Sequence, residues 1–124
     1  MERDEVEQIL ERLRVVCLRF PGAEEKLSHG SPTFFAKKVF ATFHVDHHDD
    51  GRVAIWYPAP EGDQGLMVDS EPDRFYVPPY VGHRGWLGMR LDVDPDWDEV
   101  AAAVEEAYRL VAPRKLVAEL DARG

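Results

Sequence analysis

Three clusters in this 124-residue chain bring together side chains of the kind that do chemistry. His44-Val45-Asp46-His47-His48-Asp49-Asp50 combines imidazoles and carboxylates, donors that suit zinc or nickel. Yet alternate side chains of a strand running into a turn point apart, and structural zinc sites use spaced ligand pairs. A solvated polar turn fits this segment better. Ser28-His29-Gly30-Ser31 places hydroxyls beside an imidazole, but a nucleophile and its base are defined by geometry rather than adjacency, and the glycine suits a turn. The acidic run Asp92, Asp94, Asp96, Asp98, Glu99 lacks the glycine and closing glutamate of a calcium loop, and reads as helix capping and a solvated face. No Gly-x-Ser-x-Gly elbow and no Walker-type glycine loop occurs. The expectation is therefore no enzyme, no metal and no cofactor.

The densest stretch, Phe75 to Asp92, holds four aromatics, two adjacent prolines, three glycines and two arginines. Pro78-Pro79 stiffens the approach to a turn in which Gly82 and Gly85 permit positive φ, and Gly88 allows a bulge or a close backbone approach. Such a turn presents Tyr80, His83 and Arg84. It equally suits a structural turn that pins the last strand to the final helix.

The elements around these clusters are legible. Val6, Ile9, Leu10, Leu13, Val16 and Cys17 recur at helical intervals after Asp4 and Glu7, a capping-box spacing, and Phe20-Pro21-Gly22 stops that helix. Ala23 to Ser31 reads as a polar connector. Strands are expected at 33–36, 39–45, 52–57, 75–77 and 86–91, the fourth an edge strand ended by the proline pair. Residues 66–70 make at most one helical turn. Asp94 as N-cap with Pro95 behind it opens a long helix through Trp97, Val100, Val104, Tyr108 and Val111, and a short helix covers 114–120. This order predicts a single α+β domain over residues 1–124: two layers, an antiparallel sheet of about five strands with the N- and C-terminal helices on one face.

If the helices cover the face of Val39, Ile55 and Leu87, the opposite face carries Phe40, His44, Arg52, Trp56, Trp86 and Arg90. Two tryptophans and two arginines on an open face would make a binding surface, unless a loop or a second copy of the chain covers it. Net charge is −9, which opposes long-range attraction to nucleic acid. The single cysteine, the charged N-terminus and the absence of a long apolar run predict a cytoplasmic protein without membrane contact.

Pro78-Pro79-Tyr80-Val81-Gly82-His83-Arg84-Gly85-Trp86, with Asp96-Trp97-Asp98-Glu99-Val100 and the segment Tyr108 to Leu116, resembles the MmcQ/YjbR family. Phe20-Pro21-Gly22 and Gly30-Ser31-Pro32-Thr33-Phe34 agree in order and spacing, so the resemblance runs from about Val6 to Leu120. It implies a small bacterial α+β domain, often labelled DNA-binding because its hairpins form a "double wing". It supplies no catalytic residues. The resulting expectation is a non-enzymatic domain contacting DNA through Lys37, Lys38, Arg52, Arg84 and Arg90. The alternatives are a protein-interaction or homodimerisation module using Trp56 and Trp86, and a small-ligand binder near Tyr80, His83 and Arg84.

Overall fold

The computed structural model describes residues 1–123. Helix α1 (Arg3–Leu18) precedes strands β1 (Glu24–Ser28), β2 (Ser31–Ala36), β3 (Lys38–Val45) and β4 (Val53–Tyr57). Helix α2 (Asp63–Ser70), strands β5 (Phe75–Tyr76) and β6 (Leu87–Arg90), and helices α3 (Trp97–Val111) and α4 (Arg114–Ala122) complete the chain. The six strands form one antiparallel sheet in the order β1-β2-β3-β4-β6-β5. Helices α1 and α3 pack on one face of it, which is the α+β architecture expected from the sequence.

The core lies between sheet and helices. Leu10, Leu13 and Cys17 of α1 and Val100, Val104, Ala107 and Tyr108 of α3 are buried against Phe34, Phe43, Ile55, Leu87 and Met89. Burial pushes the Cys17 thiol well above its ordinary range, so it behaves as a small apolar side chain. The Tyr108 hydroxyl donates to the Pro21 carbonyl at 2.6 Å, and its ring stacks on Phe20 with centroids 4.9 Å apart. Phe40 meets both rings edge-on.

Phe40 corrects the expected strand pattern. Simple alternation puts it on the open face and Val39 on the core face. The register instead runs from Phe34 opposite Ala41 to Phe35 opposite Val39, leaving Phe40 as the extra residue of a bulge. The bulge turns Phe40 into the core and Val39 outward.

Three further elements differ from expectation. The polar connector contains edge strand β1, whose Glu24, Glu25 and Lys26 hid its strand character; charge is the usual guard on a sheet edge. Helix α2 has eight residues rather than one turn. Helix α3 is capped by Asp96, which accepts from the Asp98 N–H at 2.9 Å, not by Asp94; Asp4 likewise lies inside α1. Among the described residues no helix is long and apolar enough to cross a membrane.

Candidate ligand-binding site

The helix-free face of the sheet is not an open plane. A row of cross-strand neighbours, Thr33, Thr42, Trp56, Gly88 and Tyr76, spans it from β2 to β5. Gly88 leaves room for the Tyr76 ring, which lies where a side chain would be: a Cβ there would sit 2.8–2.9 Å from three ring carbons. The ring is thereby aligned so that its hydroxyl accepts from Trp56 Nε1 at 2.8 Å, and the Arg52 guanidinium covers it at 4.0 Å. His44 stacks on Trp56 with centroids 3.5 Å apart and ring planes 19° from parallel. Its Nε2 lies 2.8 Å from Thr42 Oγ1 and its Nδ1 3.3 Å from Ser31 Oγ. Burial, with a smaller contribution from the neighbouring His47, lowers the His44 pKa to about 4, so the ring is neutral at pH 7.

The β3–β4 loop folds over this floor. Asp46, His48 and Asp49 adopt positive φ, and the Asp46 and Asp50 carboxylates accept from the Gly51 and Arg52 N–H groups at 2.7 and 2.8 Å. These short bonds hold a tight 3-10 turn that points His47 inward. Its ring meets Trp56 edge-on at 4.9 Å and Tyr80 at 5.9 Å, and its Nε2 is buried with no hydrogen-bond partner among the described residues. His48 Nε2 lies 2.6 Å from the Tyr80 hydroxyl, joining this loop to the segment after Pro79.

That segment is fixed from the other side. The Gln64 side-chain amide of α2 donates to the Gly82 and Trp86 carbonyls at 2.8 and 2.7 Å. A Cβ at Gly82 would lie 2.5 Å from Val77 Cγ1, so a larger residue there would have to displace the Val77 side chain. Tyr80 takes a left-handed conformation (φ 66°) and stays 68% exposed at the rim.

Floor and loops enclose a cavity of about 670 Å³. Its cations are Lys37 and Lys38, from the β2–β3 turn, and Arg84, whose guanidinium lies 5.3 Å from the centre of the Trp86 ring. No aspartate or glutamate lines it. Among the described residues these three cations have no carboxylate partner, whereas Arg14, Arg52, Arg74, Arg90 and Arg109 are all in ion pairs. The register gives the cavity two ends. Lys38 and His44 are six residues apart on β3, about 20 Å at the usual strand rise. Trp86 precedes Leu87, the partner of Tyr57, and so falls toward the lysine end. Ser31, His44 and His47 gather at the other.

Of the residues singled out in the sequence, Lys37, Lys38, Trp56, Tyr80, Arg84 and Trp86 all line this cavity. Three others do not. Arg52 pairs with Asp50 at 3.6 Å while covering Tyr76, and Arg90 holds Asp92 through two bonds of 2.9 and 3.0 Å. Burial opposes ionisation of Asp92, and the Arg90 hydrogen bonds and charge outweigh it, so that carboxyl stays below its ordinary range. His83 is exposed outside the cavity lining. Trp56 and Trp86 are only 4% and 7% exposed, because the chain's own loops cover the sheet face.

Sequence reasoning put His44 on this face of the sheet but left His47 in a solvated turn. Strict alternation separates them, but the 3-10 turn at 47–49 brings both to the same side. His29, Ser31 and Thr33 also reach the cavity, from the β1–β2 turn and β2. Among the described residues no three His, Cys, Asp or Glu side chains are arranged to hold a metal ion.

The crystal structure of the Deinococcus radiodurans protein DR2400, described as a DUF419 domain, superposes with a TM-score of 0.70 over 90% of this chain and 87% of that one. At 16% identity, this similarity concerns the fold. No curated protein matches the chain. The YjbR family model matches residues 18–110, which takes in the whole sheet, the cavity loops and most of α3. The chain belongs to the YjbR family.

Proposed function

We propose that this YjbR-family chain is a non-enzymatic binding domain that takes an anionic ligand into the cavity on its sheet face. The observation that carries this reading is the sign of the lining. In a chain of net charge −9, the cavity gathers Lys37, Lys38 and Arg84 and excludes every carboxylate. Because these cations are unpaired, an incoming anion displaces only water from them. The cavity's size falls within the range of small-molecule sites, about 300–1,000 Å³. A binding role also suits His44, whose two ring nitrogens are engaged by hydroxyls and whose face is covered by Trp56. It serves as floor rather than as a free base.

Thermal denaturation with and without pyrophosphate tests this. A ligand at 100 times its Kd adds about 2.7 kcal/mol to stability, a shift of several degrees at this size. The shift is expected for the native chain and not for Lys37→Ala/Lys38→Ala. Equal shifts in both, or none with phosphate, pyrophosphate or citrate, refute the reading.

A second reading, contact with DNA, is favoured by the position of Lys37 and Lys38 at a hairpin tip beside the sheet face. Arg52 and Arg90 contribute less than the sequence suggested, being occupied by Asp50 and Asp92. Three available cations set the expected salt dependence: log K against log salt should have a slope of about −2 to −3. No binding of duplex or single-stranded DNA at low salt rules this out. A protein interface through Trp56 and Trp86 would require the covering loops to open first.

A further inference from the structure

Resting on the reading that the cavity binds an anion, we infer that its ligand is amphipathic: a carboxylate or phosphate head held at the rim by Lys37, Lys38 and Arg84, and an alkyl or aryl body seated on Val39, Trp86 and Val111. Two observations at the lysine end of the cavity carry this. The first is the depth of the two kinds of residue. Lys37, Lys38 and Arg84 are exposed, whereas Val39 and Val111 are half-buried and Trp86 is buried. Long basic side chains keep their charged ends in water, so the cations stand at the mouth and the apolar groups beneath it. An anion charged along its whole length would lose hydration below the rim and meet hydrocarbon and an indole ring in place of water. An apolar body gains there instead. The second observation is that the fold builds the apolar seat beside the cations. Tyr57 lies opposite Leu87 and Thr42 opposite Trp56, so counting on sets Phe40, Pro58 and Trp86 at one level across β3, β4 and the start of β6. The bulge turns Val39 rather than Phe40 to the cavity face, about 10 Å from Trp86 at the usual strand spacing. A phenylalanine on that face would fill space that valine leaves. Val111 follows three residues after Tyr108, whose ring meets Phe40, and closes the same end.

Calorimetric titration with pyrophosphate, butanoate, hexanoate, octanoate, hexyl phosphate, 3-phenylpropanoate and hexanol tests this. Affinity should rise about fourfold for each methylene added from butanoate to octanoate. Hexanol, which lacks the head, should bind about tenfold more weakly than hexanoate. Lys37→Ala/Lys38→Ala should weaken hexanoate about tenfold and leave hexanol unchanged. Val39→Phe fills the seat and should remove the dependence on chain length, while pyrophosphate, held at the rim, still binds. Val39→Thr keeps the shape of valine and adds a hydroxyl; it should weaken hexanoate about threefold, which separates a lost contact from a lost fold. Hexyl phosphate tighter than hexanoate identifies a phosphate ester as the source, and the reverse a carboxylic acid; 3-phenylpropanoate against hexanoate distinguishes an aryl from an alkyl body. Each of these supports the shared chemistry. If pyrophosphate binds but carboxylates of every length bind equally, the amphipathic inference falls while the anion site stands. Hexanol as tight as hexanoate also overturns the inference. If no anion binds at all, both readings fall.

Discussion

Replacing Gly88 by alanine tests how the cavity floor is held. The added methyl would lie 2.8–2.9 Å from the Cζ and both Cε atoms of Tyr76, a ring that must move because its partner is backbone. Movement of Tyr76 breaks its hydrogen bond from Trp56 Nε1, now 2.8 Å, and slides the ring from under Arg52. Overpacking of this kind costs about 1–3 kcal/mol and the lost hydrogen bond about 1. The smaller unfolded-state entropy of alanine offsets about 0.5–1. The net expectation is a loss of roughly 2 kcal/mol, or about 8 °C in Tm at this chain length. Urea denaturation followed by tryptophan fluorescence reads it directly. In a Tyr76→Ala background the clashing ring is gone, so Gly88→Ala should be nearly neutral there. An alanine variant as stable as the native chain, or an equal loss in both backgrounds, would refute the close-approach account.

The His44 pKa near 4 predicts a stability loss in acid, because the unfolded chain takes up a proton near pH 6.5 that the folded ring refuses. Stability from this residue is fully present above pH 6.5 and falls as pH drops to about 4; solvent screening of the half-buried ring holds the loss to about 1–2 kcal/mol. His44→Gln should flatten the stability profile over that window, and an unchanged slope counts against it. Tyr108→Phe leaves the Pro21 carbonyl without its 2.6 Å partner and should cost about 1–2 kcal/mol by denaturant titration; a neutral outcome would show that water replaces the hydroxyl. Asp96→Ala removes the α3 cap and should cost about 1 kcal/mol, whereas Asp94→Ala should cost little; the opposite ranking would restore Asp94 as the cap.

The fold was largely legible because its helices show their period and its central strands alternate. Where alternation fails, a local device is responsible. The bulge at Phe40 exchanges the faces of Val39 and Phe40, and no residue type near it announces the extra position. Strand β1 was hidden because an edge strand can carry the charges expected of a loop. The site was half legible. Residue type pointed to Lys37, Lys38, Trp56, Tyr80, Arg84 and Trp86, which converge although they come from three separate stretches. Residue type could not tell that Arg52 and Arg90 are tied to Asp50 and Asp92, since pairing depends on geometry. Nor could it place His47, whose direction comes from left-handed residues on both sides of it, Asp46 and His48. Gly88 shows the opposite case: a glycine inside a strand signalled a close approach, and the Tyr76 ring is what approaches.

Two-dimensional NMR during a pyrophosphate titration measures the central claim most directly. The chain carries its own internal control in three tryptophans: Trp56 and Trp86 line the cavity, while Trp97 lies on α3 beneath Arg12. An anion bound as described should move the backbone amides of Lys37, Lys38 and Arg84 and the indole N–H of Trp86, and leave Trp97 in place. Shifts scattered over the other exposed basic residues, or none at millimolar pyrophosphate, would contradict an anion site in this cavity.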